Sequence, residues 1–321
     1  MLRILITDSL YQMAQEYGKD PFHTRNKNFD SPSKNLAQLK DSLGVGYEPH
    51  KNYIQRIIDN YARLNCLKPS EIESEKREFD KFRIDLSQKI NNTEFHELII
   101  AAMRYEALRE KDFLPYIKKL GIKSCVYCNA QLAIVVERAS DDKLIGRLEL
   151  DHHFPKSEYP FLCTSFFNLF PVCGNCNRLK SNDKIDFDLY VESTTENQNP
   201  FVFSLSPASI VKYLTDYNED HLEINFNSKN DANALADNLD KKLCIRGIYD
   251  TQKDLAAELV CKSKIYTPGY RADLMKNFNA IFPDQALLNR IIIGSYDKAA
   301  DIHKRPMSKF IQDIANQLHL K

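Results

Sequence analysis

Two CxxC pairs, Cys125/Cys128 and Cys173/Cys176, bracket an Asp-His dipeptide, Asp151-His152, and the second pair runs straight into Asn177. Four thiolates in two such knuckles close a tetrahedral zinc site, which holds a small segment together without a large core. That metal would be scaffolding, and the chemistry lies between the pairs. An imidazole with the ordinary pKa of ~6.5 takes a proton from water at neutral pH, so His152 is a candidate general base. Asp151 and the amide oxygen of Asn177 are hard oxygen donors, suited to Mg²⁺ or Mn²⁺ rather than to zinc. One such ion would bind a phosphate oxygen and stabilise a leaving 3′ oxygen while His152 activates water. With Asn168, these residues outline a phosphodiester-hydrolysing site.

The order Asp151-His152-x-x-Pro155, then Asn168-Leu169, then Cys173-x-x-Cys176-Asn177-x-x-Lys180 resembles the HNH, or ββα-metal, nuclease superfamily. The resemblance implies a general base at His152, a metal ligand at Asp151, an Asn168 that orients the histidine, and an Asn177 that completes the metal site. Asn177 stands where many members carry histidine, an HNN variant that favours oxygen-loving Mg²⁺. More loosely, GIYDTQKDLAAEL, IIIGSY and KRPMSKF resemble the helical extension of HNH proteins of bacterial anti-phage systems, the Septu type in particular. That likeness implies a nuclease subunit acting on DNA, with RNA left open, beside a partner ATPase of the ABC/SMC-like class. The long helical region before the first knuckle departs from that pattern.

The neighbouring residues have simpler expectations. His153 faces away from His152 if the segment is a strand, because side chains alternate, and is expected to pack. Asn175 and Asn182 read as loop and helix-end residues. Lys156, Arg178 and Lys180 are candidate phosphate contacts, although lysines near turns are commonly just solvated.

Composition narrows the partners. Lys plus Arg and Asp plus Glu both number 44, and phosphate affinity comes chiefly from clustered Lys and Arg. A neutral chain therefore fits a nuclease brought to its substrate better than a free-standing DNA binder. The eight cysteines are too few and too clustered for a secreted disulfide framework, and Cys66, Cys163, Cys244 and Cys261 read as small packed hydrophobes. No apolar run approaches the ~20 residues of a membrane span, so a reducing cytoplasm is the expected compartment.

The elements that must position the site follow in order. The expected class is α+β, mostly α-helical: a helical region over 1–115, a zinc-stapled ββα-metal module over 116–190 and a mainly helical region over 191–321. Residues 1 to about 50 read as a helix and then a loop-rich stretch. A helix from Tyr53 closes at Pro69, Ser70-x-x-Glu73 reads as a capping box for a helix burying Phe79, Phe82, Leu86 and Ile90, and another helix follows Thr93. LAIVVE and LIGRLELDH read as a hairpin turned at Ser140-Asp141-Asp142, with FFNLFPV as a partner strand. The helix from about Gly174 places Asn177 in its first turn, with N–H groups facing an anion. A polar connection from about 185 leads to FVFSLS and HLEINFN as strands. Helical patterns then run on, interrupted at Pro268-Gly269, with Leu274, Phe278, Ile281, Leu288 and Ile292 inward. The last helix carries Lys304, Arg305 and Lys309 at its start, above an inner face of Met307, Phe310, Ile311, Ile314 and Leu318.

Two other readings share these residues. A zinc-ribbon adaptor that binds nucleic acid or a partner has no need of Asp151, His152 and Asn177. A stand-alone restriction-like or mobile-element nuclease would carry a strong basic face or a DNA-reading domain.

Overall fold

Helices enclose five two-stranded sheets in the computed structural model, which describes residues 1–183, 185–193, 198–229 and 234–321. The N-terminal stretch holds β1 (Ile4–Leu5), α1 (Asp8–Lys19), α2 (Pro32–Ser42), α3 (Glu48–Asn65), α4 (Pro69–Asp80), the hairpin β2 (Lys89–Ile90) and β3 (Thr93–Glu94), and α5 (Phe95–Ala102). A short turn, α6 (Tyr105–Ala107), leads through a π-helical segment, Leu108–Asp112, to α7 (Leu114–Leu120). The middle carries β4 (Ile134–Arg138), β5 (Lys143–Arg147), β6 (Glu149–His152), β7 (Leu169–Val172), α8 (Gly174–Lys180) and β8 (Tyr190–Val191). The C-terminal stretch comprises β9 (Phe201–Leu205), α9 (Pro207–Asp216), β10 (Ile224–Ser228), α10 (Ala234–Leu243), α11 (Ile245–Asp250), α12 (Lys253–Ile265), α13 (Pro268–Asn277), α14 (Gln285–Ile293) and α15 (Ser308–Gln317).

The three stretches share one core of buried side chains running from Met1 to Leu320. β1 pairs in parallel with β8, while β2–β3, β4–β5, β6–β7 and β9–β10 are antiparallel. Between the N-terminal helices and the middle stretch, Tyr17 sets its ring edge-on to Phe113, Tyr116 and Phe166, and Phe79 stacks on Phe161 with centroids 3.8 Å apart. Such aromatic pairs add directional attraction to the burial of large apolar surface. α1 crosses α3 so closely that a Cβ on Gly18 would stand 2.6 Å from the Ala62 carbonyl oxygen, a spacing only glycine allows. Gly121, at φ 69°, ends α7 in the left-handed region and turns the chain into the first knuckle.

Several expectations are corrected. The stretch read as loop-rich contains α2, which Ser31 caps and Pro32 opens. The cap of α4 is Lys68 with Glu71, whose carboxylate accepts the Lys68 N–H at 2.9 Å; Ser70 instead donates its N–H to Glu192. α4 stops at Asp80, leaving Phe82 and Leu86 in the following loop. LIGRLELDH is two strands: β5 pairs with β4, and β6 with β7. The apolar pattern runs through Leu148 without a break, so only the change of partner reveals the division. The helical run does break before Pro268, which opens α13 at its first turn, but no residue of α13 is buried, and Phe278 and Ile281, expected inward, are exposed. Lys309 is fully buried and paired with Asp313, one turn along α15. Cys244 is exposed, at φ 51° between α10 and α11, rather than packed. Residues 194–197 of the polar connection lie outside the described residues.

Candidate metal-binding active site

The chain leaves α7 at Gly121 and forms a tight loop in which Cys125 donates its N–H to the Gln131 carbonyl at 2.9 Å and accepts from Asn129 N–H at 2.9 Å. Asn129 adopts φ 54°, a left-handed conformation that asparagine tolerates better than other non-glycine residues. Its buried amide locks the loop to the far end of the chain. Nδ2 donates to Ser124 Oγ at 2.7 Å and to the Ile302 carbonyl at 3.0 Å, and Oδ1 accepts from Lys309 N–H at 2.8 Å. Tyr249 adds a bond from its hydroxyl to the Cys128 carbonyl at 2.8 Å.

The second knuckle closes where β7 meets α8. Cys173 caps that helix, and its sulfur accepts the Cys176 N–H at 3.5 Å, as Cys128 sulfur accepts Ala130 N–H at 3.4 Å. The four sulfurs of Cys125, Cys128, Cys173 and Cys176 lie within 4.8 Å of one another, and all four residues are buried. Sulfurs around a tetrahedral zinc stand about 3.8 Å apart, given Zn–S bonds of ~2.3 Å, so this donor set fits zinc. The helix N-terminus expected to face an anion is thus turned on a cysteine sulfur.

β6 and β7 pair with Asp151 opposite Phe170 and His152 opposite Leu169, and α8 returns across β6. Asp151, 4% exposed, accepts from Tyr127 Oη at 2.6 Å on Oδ2 and from Lys180 Nζ at 3.0 Å on Oδ1. Burial pushes the Asp151 carboxyl above its ordinary range, and the Lys180 charge opposes that push. Lys180 is 1% exposed and also donates to the His152 carbonyl at 3.0 Å. Lys180, a candidate phosphate contact from the sequence, is thus neither solvated nor free: it is a buried counter-charge to Asp151.

His152 lies under the Tyr105 ring, centroids 4.7 Å apart, and its Nε2 is 2.9 Å from the Cys163 carbonyl oxygen. Burial lowers its pKa from the expected 6.5 to about 3, so the ring is neutral at pH 7. A carbonyl only accepts, so Nε2 carries the proton and Nδ1 keeps the lone pair. The Tyr105 hydroxyl donates to the Leu150 carbonyl at 3.1 Å, fixing the ring that covers His152.

Asn168 makes no direct bond to His152. Its Oδ1 accepts from Phe154 N–H at 2.8 Å, and its Nδ2 donates to the carbonyls of Phe154 and Leu162 at 3.2 and 3.1 Å. It therefore clamps both ends of the loop that presents the Cys163 carbonyl to His152. Asn177 is half-buried on α8, three residues before Lys180 and hence on the same face. Among the described residues its side chain has no hydrogen bond. His153 packs as expected, stacked on Phe170, with its Nε2 2.9 Å from Asp188. Lys156 sets its ammonium 4.5 Å from the Tyr105 ring centre, at the edge of an open cavity of about 680 Å³ also lined by Arg104, Ser157 and Asn182. Arg178 is exposed and donates to Asn175 Oδ1 at 2.7 Å.

Tyr105, Tyr127 and Asn129 were not among the expected site residues. Tyr127 was the most legible of them, lying inside the first CxxC, whereas Tyr105 offers only an aromatic in a helical stretch.

The molecule is thus an α+β, mostly helical chain with four buried cysteines close enough together that they could hold a metal ion such as zinc, beside a buried Asp-His pair. No helix among the described residues is long and apolar enough to cross a membrane. No family model matches the chain, and no solved structure matches it. The Septu protein PtuB of Bacillus thuringiensis is 34% identical over 70 residues, covering 21% of this chain and 24% of that protein. The chain thus matches about a quarter of the length of its curated relative.

Proposed function

We propose that the chain is an HNH-type, metal-dependent endonuclease that hydrolyses DNA phosphodiester bonds and serves as the nuclease subunit of an anti-phage defence complex. The observation that carries the reading is the state of His152. Its Nε2–H is engaged by the Cys163 carbonyl, which leaves Nδ1 to take a proton, next in sequence to a carboxylate that faces α8; burial opposes that proton uptake by lowering the ring's pKa. The local likeness to a Septu protein supports the defence role, and the partner ATPase of ABC/SMC-like class is the one that the resemblance stated from the sequence implies.

The donor set suits the metal. The Asp151 carboxylate and the Asn177 amide are hard oxygen ligands of the kind Mg²⁺ and Mn²⁺ take, with Lys180 the cation that now sits on Asp151 Oδ1. A Mg²⁺ or Mn²⁺ ion bound there supplies positive charge to the phosphate and to the departing 3′ oxygen. His152 takes the proton of the attacking water at Nδ1, and the Cys163 carbonyl steadies the imidazolium that results. Asn168 keeps that carbonyl in place by holding Phe154 and Leu162. Lys156 and Arg104 are the phosphate contacts in this reading, on a cavity wall that Glu97, Glu106 and Glu110 share.

One observation favours the adaptor reading, in which the zinc-bound segment binds a partner and does no chemistry: Lys180 already neutralises Asp151. Cleavage of supercoiled plasmid in Mg²⁺ or Mn²⁺, beside His152→Ala and EDTA controls, separates the two readings. The nuclease reading expects nicking that both controls abolish, and the adaptor reading expects intact plasmid throughout.

A further inference from the structure

We propose that Lys180 is the resident cation of the site, and that a divalent metal reaches Asp151 only by displacing its ammonium. The inference rests on the nuclease reading and concerns how that site is loaded.

Lys180 Nζ is 3.0 Å from Asp151 Oδ1 and 3.0 Å from the His152 carbonyl oxygen, so it is bonded to two consecutive residues of β6 at the end where the Asp-His pair sits. Both partners of the ion pair are buried, with Lys180 1% and Asp151 4% exposed, and Tyr127 takes the other carboxylate oxygen. A Mg²⁺ ion sits about 2.1 Å from its oxygen ligands. On Oδ1 it would stand within about 5 Å of Nζ, and a dication that close to an ammonium in a poorly screened site is strongly repelled. Asp151 cannot serve both cations from one oxygen at little cost.

The surroundings allow the exchange. Lys180 is the last residue of α8, Ser181 leaves the helix at φ 52°, and residues 181–183 are exposed. A lysine ammonium on a four-carbon stem changes partner with few bond rotations, unlike a planar guanidinium. Once displaced, it becomes a mobile donor near the incoming phosphate. The contact expected of Lys180 from the sequence then belongs to the metal-loaded, substrate-bound site, and metal and phosphate favour each other's binding because each takes one partner of the pair. Lys180 is in this sense a positioning residue, acting through Asp151.

The test is Mn²⁺ binding to full-length, zinc-loaded protein without nucleic acid, followed by the paramagnetic resonance signal of free Mn²⁺. Lys180→Met removes the competing charge and keeps the stem, and is expected to bind Mn²⁺ at least about tenfold tighter than wild type, while Asp151→Asn loses binding. Equal or weaker binding by folded Lys180→Met, with wild type binding Mn²⁺, overturns the proposal and leaves the nuclease reading standing. Binding by neither protein removes both. A second readout needs no variant: acetylation of Lys180 in the wild type, located by peptide mapping, is expected to rise severalfold when Mg²⁺ is added. Labelling that Mg²⁺ leaves unchanged also overturns the proposal.

Discussion

Acid should destabilise this protein through two buried histidines, and the size of the effect follows from their surroundings. Burial lowers His152 to about 3, and lowers His303, whose Nε2 bonds the Leu2 carbonyl at 2.8 Å, to about 3 as well. In the unfolded chain each returns to about 6.5. The folded pKa lies below the unfolded one, so the unfolded chain takes up the proton first as pH falls. Each histidine's contribution is therefore present above pH 6.5 and lost progressively as pH drops toward 3. Between pH 7 and pH 5 the unfolded state gains about 1.4 units of proton-binding free energy per histidine, or about 2 kcal/mol at 1.36 kcal/mol per unit. The assay is urea unfolding at both pH values for wild type, His152→Gln, His303→Gln and the double variant. Glutamine places an N–H near the position of Nε2 and does not titrate. Each single variant should lose about 2 kcal/mol less than wild type on acidification, and the double variant about 4 kcal/mol less. Protonation of cysteines and carboxylates is common to all four proteins and cancels in these differences. Four parallel pH dependences would refute the reasoning, since they would mean that neither ring is held neutral by burial.

Other outcomes follow from the same geometry. Cys125→Ser or Cys173→Ser should reduce zinc from one ion per chain to none by elemental analysis and lower unfolding free energy by at least roughly 3 kcal/mol, because metal binding is coupled to folding. Unchanged melting would argue against a four-cysteine metal. Asn168→Ala strips three bonds from buried backbone groups of Phe154 and Leu162 and should cost roughly 2–4 kcal/mol in urea unfolding. Under the nuclease reading it also slows cleavage, since the Cys163 carbonyl loses its support; full activity at reduced stability would contradict that positioning role.

The cysteine frame was legible because zinc ligands come in short local pairs whose spacing is written in the chain, and the structure brings all four together. The β7 and α8 segments were legible from the aromatic run FFNLFPV followed by Gly174. Other features depend on contacts distant in sequence. A lone lysine reads as surface, and nothing near Lys180 announces a buried partner, since Asp151 lies on another element; the Lys309–Asp313 spacing is visible in the chain, but its burial, with Phe203 N–H bonded to Asp313, is not. The division of LIGRLELDH at Leu148 is a choice of strand partner, and residue pattern alone does not carry it. In α13 the apolar periodicity suggested an inner face, yet Tyr270 and the following Phe278 and Ile281 stand exposed. His152 was expected with an ordinary pKa because burial depends on Tyr105 and on the 154–163 loop, which only the folded chain brings over it.

The central claim is metal-dependent phosphodiester hydrolysis through His152. Its most direct test follows supercoiled plasmid with the purified, zinc-loaded protein in Mg²⁺ or Mn²⁺, with His152→Ala alongside. The account predicts nicked or linear product from the wild type, lost on chelation by EDTA, and a folded His152→Ala, zinc retained, that leaves the plasmid intact. A variant that cuts as fast as the wild type, or product that survives chelation, would contradict it.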